Sequence, residues 1–116
     1  MNILGIETSC DDTAAAIVTS EQKILASVLS SQTSFHAKYG GIVPEIASRK
    51  HLELISHVCL EALHTARLTW NDIAIICVTK GPGLVGSLLV GVEYAKGVAL
   101  SLQKPIKGVH HLEGHL

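Results

Sequence analysis

Residues 73–79 read Ile-Ala-Ile-Ile-Cys-Val-Thr, a nearly continuous apolar run. A run of this length, without polar alternation and rich in branched residues, describes a central strand covered on both faces. Such strands belong to parallel sheets, whose neighbouring strands are joined by crossover helices. Helical segments are predicted on both sides of it. Pro44 stands where a helix begins, since a proline at the first helical position loses no needed N–H. From Pro44 to about Arg67, steps of 100° place Ala47, Leu52, Leu54, Ile55, Val58, Cys59, Ala62, Leu63 and Ala66 on one side. Arg49, Lys50, Glu53, Ser56, His57, Glu61, His64 and Arg67 take the other side. This apolar arc covers about half the circumference, wider than a surface helix needs. Beyond the apolar run, Gly81-Pro82-Gly83-Leu84-Val85-Gly86 opens a second helix to about Gln103, charged only at Glu93 and Lys96 and so expected to be buried on most sides.

The first third of the chain has strand character instead. Asn2–Thr8, Thr13–Thr19 and Lys23–Ser31 are short β-compatible runs separated by polar turns, the pattern of an antiparallel meander. Thr69–Asp72 is a turn, Pro105–Val109 a last short strand, and His110–Leu116 the start of a further helix. The order βββαβαβ, with helix to follow, is that of one half of an actin-like, ribonuclease-H-like α/β domain. That order predicts a three-stranded antiparallel meander joined to parallel strands by crossover helices.

Composition removes several classes of function. With 47% hydrophobic and 16% charged residues in 116, the chain has the content of one folded domain and is not disordered. Nine Lys and Arg against ten Asp and Glu leave no basic excess to mark a nucleic-acid binder. The longest uncharged apolar stretch, Gly81–Val92, is too short to span a bilayer, and MNILGIETSC lacks the basic and apolar regions of a signal peptide. Cys10, Cys59 and Cys77 are odd in number and unpatterned, as expected of free thiols in a reducing cytoplasm.

Three motifs carry candidate chemistry. In His111-Leu112-Glu113-Gly114-His115, two histidines at i and i+4 of a helix point the same way and can reach one metal ion. A zinc protease needs Glu directly after the first histidine, and Leu112 stands there. Gly81-x-Gly83-x-x-Gly86 formally meets a dinucleotide fingerprint, but no acidic residue closes the following strand, which ends Lys107-Gly108-Val109-His110. Anion contact and close helix packing are the two readings that remain for these glycines. The turn Glu7-Thr8-Ser9-Cys10-Asp11-Asp12-Thr13 faces nucleotide phosphates in an actin-like half. There Thr8 and Ser9 are candidate phosphate contacts, and Asp11 and Asp12 candidates to hold a cation or orient a reacting group.

Four segments together resemble one family. GIETSCDDT, YGGIVPEIASRKH at 39–51, GPGLVGSLLVG at 81–91 and VHHLEGHL at 109–116 are similar, in order and along the whole chain, to the bacterial TsaD (Gcp) proteins. The resemblance implies a duplicated actin-like ASKHA fold. It also implies transfer of threonylcarbamoyl from threonylcarbamoyl-adenylate to N6 of the adenosine next to the anticodon of tRNA. It implies a divalent metal, iron(II) or zinc, on His111 and His115, with a third ligand, an aspartate, in a second half. Asp12 stands where many relatives carry Glu. The implied partners are tRNA, an inactive TsaB-type paralogue, a TsaE-type ATPase and a second copy of the chain, in the cytoplasm and away from membranes. Residues 1–116 are then an N-terminal actin-like subdomain whose second half lies outside this chain, and the fragment alone is expected to be inactive. The competing expectation is a non-catalytic module that only pairs with another actin-like subunit. A sugar or acetate kinase of the same superfold is disfavoured by the histidine pair.

Overall fold

The computed structural model describes residues 1–9, 12–31, 40–41 and 44–110. Five strands form one sheet: β1 (Asn2–Glu7), β2 (Asp12–Thr19), β3 (Ile24–Ser31), β4 (Ile73–Gly81) and β5 (Ile106–His110). Two long helices, α1 (Pro44–Ala66) and α2 (Val85–Leu102), complete the described elements with a short 3-10 turn at Trp70–Asp72. The strand order is β3-β2-β1-β4-β5. β1, β2 and β3 pair antiparallel, whereas β4 runs parallel to β1 and β5 parallel to β4. The expected meander and crossover helices are therefore present, and the apolar run is the strand flanked on both sides.

Alternation decides which side of each strand meets the helices. Leu4 and Ile6 of β1, Ala15 and Ile17 of β2, Ala26 of β3 and Ile76 and Val78 of β4 are buried in one cluster with Ile55, Val58 and Cys59 of α1 and Ala95 and Ala99 of α2. α1 packs on β2 and β3, α2 mainly on β4, and the helices touch each other. Both thus lie on one face of the sheet. The opposite face holds a shallow groove of about 410 Å³ lined by Gly5, Glu7, Ala14, Ala16, Cys77 and Thr79 among others. Among the described residues β4 is consequently covered on one face only, and Cys77 on the other is half-buried.

Both helices depart from expectation in which residues they bury. On α1, Leu52 is 68% exposed, while His51 is fully buried. His51 continues the inward row Ala47, His51, Ile55, Val58, Ala62, whereas Leu52 sits at the rim of the arc. α2 is not buried on most sides. It buries Ser87, Gly91, Ala95 and Ala99, one small residue every fourth position, and leaves Val85, Leu89 and Leu100 exposed. A stripe of small residues lets the helix axis approach the strands closely, so the larger side chains are left outside. In length and composition α2 also satisfies the requirement for a membrane span. It does so by running on through Glu93 and Lys96, which lie 3.7 Å apart. Both helices stop in the left-handed region, at Arg67 (φ 58) and Gln103 (φ 55), where backbone N–H groups close on the last carbonyls.

Cys59 and Cys77 are free thiols. Desolvation pushes the fully buried Cys59 thiol up from 9.0 to about 12, partly opposed by a hydrogen bond with Tyr94. Burial also raises Cys77, against the attraction of Lys107. Because the unfolded thiol ionises near 9.0, the contribution of Cys59 to stability is complete below that pH. It is lost as the pH rises toward about 12, by at most about 1.4 kcal/mol per pH unit. Alkylation by iodoacetamide at pH 8 is expected to spare Cys59 in the folded chain and to label it in urea. Equal labelling rates in the two states would show the thiol to be accessible.

Candidate functional site

β1, β4 and β5 are mutually parallel, so their C-terminal ends meet at one edge, and antiparallel β2 begins there. In open α/β sheets that edge is where ligands bind. Thr8 follows β1 and continues the inward alternation of Leu4 and Ile6, so its side chain is fully buried beneath α2. Its hydroxyl donates to the Ser87 carbonyl oxygen at 2.6 Å and accepts the Gly91 N–H at 3.2 Å. Thr8, a candidate phosphate contact in the sequence, thus directs its hydroxyl proton to the helix. Ser9, 4% exposed, gives its N–H to Glu7 Oε1 at 2.7 Å, and its carbonyl oxygen accepts the Leu84 N–H at 2.8 Å. Glu7 Oε2 accepts the Thr79 hydroxyl at 2.5 Å, which joins the ends of β1 and β4.

Asp12 is the first residue of β2, half-buried and paired with Ser31. Thr13 points the other way, into the helix layer, where its hydroxyl lies 2.7 Å from Nδ1 of the buried His51. By alternation Asp12 lies on the face opposite the helices, the face that Glu7 also takes. Asp11, His111 and His115, with Cys10, lie outside the described residues. His110, the last residue of β5, pairs with Gly81.

The glycine-rich segment now has a physical explanation. A Cβ on Gly83 would overlap the Ser9 carbonyl, one on Gly86 would lie 2.5 Å from Ser48 Oγ, and one on Gly91 2.5 Å from Thr8 Oγ1. The Leu84 N–H at the helix entrance is bonded to Ser9. Of the two readings of these glycines, close packing accounts for all three contacts. Gly83 and Gly91 bring the start of α2 onto the residues that follow β1, and Gly86 brings it onto Ser48 of α1.

Among the described residues no three His, Cys, Asp or Glu side chains gather around one point as a metal site would require. What the edge does present is a carboxylate, Asp12, at a strand start, beside a turn held by Glu7, Thr8 and Thr79. Such a group can accept a proton or orient a reacting nucleophile. Sequence reasoning gave no role to His51, Thr79 or Glu7. His51 was legible, since it sits four residues after Ala47 and four before Ile55. The partnership of Glu7 with Thr79 joins residues 72 apart and leaves no local signal.

A family model described as tRNA N6-adenosine threonylcarbamoyltransferase (TsaD) matches residues 23–116. A tRNA N6-adenosine threonylcarbamoyltransferase of Clostridium perfringens is 58% identical over 114 residues, 98% of this chain and 34% of the relative. One of Clostridium botulinum is 56% identical over 116 residues, 100% of this chain and 34% of the relative. The chain thus spans about a third of the length of the curated relatives it matches. Among solved structures, YeaZ from Pseudomonas aeruginosa superposes with a TM-score of 0.72 at 17% identity, covering 94% of this chain and 42% of YeaZ. T. thermophilus RuvC does so at 0.59 and 14% identity, covering 97% and 66%. At such identities these two likenesses speak for the fold, which is the expected actin-like, ribonuclease-H-like one.

The contact between Gly91 and Thr8 can be tested by a double-mutant cycle. Gly91→Ala is expected to destabilise the chain by about 1–3 kcal/mol in urea unfolding, because the new methyl group collides with Thr8 Oγ1. Thr8→Ala, which removes that oxygen, should make the second substitution cheaper than it is alone. Strict additivity would show that the two residues do not meet.

Proposed function

The chain belongs to the TsaD family of tRNA N6-adenosine threonylcarbamoyltransferases, and on that premise we propose that it forms the N-terminal part of such an enzyme. The observation that carries this reading is an identity of 58% sustained over 114 residues with a relative of that activity. In this reading residues 1–116 belong to the first of two actin-like halves, and the substrate lies between the strand edge described above and the second half. The reaction forms a bond from adenosine N6 to the carbonyl carbon of threonylcarbamoyl-adenylate. It breaks the bond from that carbon to the phosphate oxygen, so AMP leaves with the electron pair and N6 gives up a proton. Asp12 or Asp11 accepts that proton or orients the nucleophile, and the Ser9 side of the turn faces the phosphate. Thr8 contributes through the main chain that it fixes, since its hydroxyl bonds to α2.

His111 and His115 hold the metal in this reading. Two neutral imidazoles at i and i+4 fit iron(II) or zinc as part of a ligand set. The described residues add no cluster to complete it, and Glu113 is rotated roughly 200° from each histidine on a helix. The third ligand, an aspartate, is assigned to the second half. Such a metal, when bound, polarises a carbonyl or phosphoryl oxygen. Its affinity falls below pH ~6.5 as the imidazoles protonate.

The partners in this reading are tRNA, threonylcarbamoyl-adenylate, a TsaB-type paralogue and a TsaE-type ATPase, all in the cytoplasm. The exposed Leu52 and Leu60 of α1 and Val85, Leu89 and Leu100 of α2 favour a helical docking face for the paralogue or a second copy. The same residues support the second reading, a module that only pairs. Leu60→Glu is expected to weaken self-association and paralogue binding in analytical ultracentrifugation; unchanged sedimentation would move the interface elsewhere.

The decisive protein is a chimera carrying residues 1–116 in place of the matching third of the C. perfringens relative. It is expected to transfer threonylcarbamoyl to tRNA with its partners, while the 116-residue chain alone does not. His111→Ala and His115→Ala should each strip most of the chimera's metal. Transfer by the chain alone would contradict the division of the site between halves. Unchanged metal in both variants would remove these histidines from the ligand set.

A further inference from the structure

We propose that Glu7 is a positioning residue for the transfer reaction, holding the turn that carries Ser9 and leads to Asp12 without itself touching substrate. The inference rests on the functional reading above. Glu7 ends β1 on the face opposite the helices, the face on which Asp12 starts β2. Its carboxylate could be read as a second base at the site. The geometry points to another use. One oxygen accepts the Ser9 N–H at 2.7 Å and the other the Thr79 hydroxyl at 2.5 Å. Glu7 thereby bends the chain immediately after β1 and ties that bend to β4, the strand that leads into α2. Ser9 is held from both directions, its N–H by Glu7 and its carbonyl oxygen by the Leu84 N–H. Charge-assisted bonds of this length are strong and directional. They set the direction of the main chain entering the turn, and a small displacement of a catalytic group costs much of the rate.

A carboxamide separates the two roles. In Glu7→Gln the side-chain oxygen still accepts the Ser9 N–H, and the NH₂ can donate to Thr79, whose hydroxyl rotates to accept. A catalytic base tolerates no such exchange, since a carboxamide takes up no proton near neutral pH. In the chimera, Glu7→Ala is expected to lower kcat by about 100-fold with KM for tRNA unchanged. Glu7→Gln should stay within about tenfold of the parent, a neutral acceptor being roughly half as strong as a charged one. Thr79→Val should lower kcat and Thr79→Ser restore it. If Glu7→Gln is as inactive as Glu7→Ala, the carboxylate does chemistry and the proposal falls; it also falls if Glu7→Ala or Thr79→Val matches the parent. The Ser9 amide in ¹⁵N–¹H spectra of the 116-residue chain gives a readout independent of activity. It should be shifted downfield and slow to exchange in the parent and in Glu7→Gln, and neither in Glu7→Ala. An unchanged Ser9 signal in Glu7→Ala overturns the proposal even if the chimera transfers nothing, an outcome that would defeat only the functional reading.

Discussion

The close approach of α2 to the end of β1 is the constraint on which the site depends. It is made by Gly83 and Gly91, which leave no room for a Cβ against Ser9 and Thr8, and by one buried hydroxyl that bonds twice to the helix, while Gly86 packs as closely on Ser48 of α1. A helix held at ordinary distance would leave Thr8 without the Ser87 carbonyl, and a buried hydroxyl deprived of partners costs about 1–3 kcal/mol. It would also release the Ser9 carbonyl from Leu84. Packing and chemistry are here the same set of contacts. The stripe that lets α2 come close is built from small residues, and for the same reason Val85, Leu89 and Leu100 are displaced to the surface.

The turn after β1 is held on both faces of the sheet. On the helix face Thr8 reaches α2, and Thr13, at the start of β2, reaches His51 of α1. On the other face Glu7 reaches Ser9 and Thr79. The two ends of the turn are thereby fixed by residues from both helices and from the neighbouring parallel strand. Fixing both ends of the turn suits the proposed site, because preorganisation removes an entropic cost from a reacting complex. His51 and Thr13 fit this view. An apolar pair would fill the same space with no desolvation penalty, whereas the imidazole and hydroxyl fix a direction.

Much of the fold was legible because it depends on local pattern. The apolar run at 73–79 announced the strand between β1 and β5, and three short β-compatible runs separated by polar turns announced the meander. The start of α1 followed from Pro44, and the ends expected near Arg67 and Gln103 fall where the structure turns left-handed. The faces of the helices were less legible, because burial was read from hydrophobicity alone. Leu52 is apolar and exposed, and His51 is polar and buried. Hydrophobicity could not distinguish a side chain that meets the sheet from one that meets solvent or another subunit. The motif at residues 7–13 was recognised, but its internal division of labour was not. Thr8 bonds to Ser87 and Gly91, and Glu7 to Thr79, across 72 or more residues, and only the folded chain brings these together.

The central claim is that the turn after β1 and the entrance to α2 form this chain's side of the substrate site. The most direct measurement is amide hydrogen exchange of the chimera with and without a non-hydrolysable analogue of threonylcarbamoyl-adenylate. The account predicts slower exchange in peptides covering residues 7–13 and 79–88, with β3 and the body of α1 unchanged. Slowing confined to the part of the chimera outside residues 1–116 would contradict it.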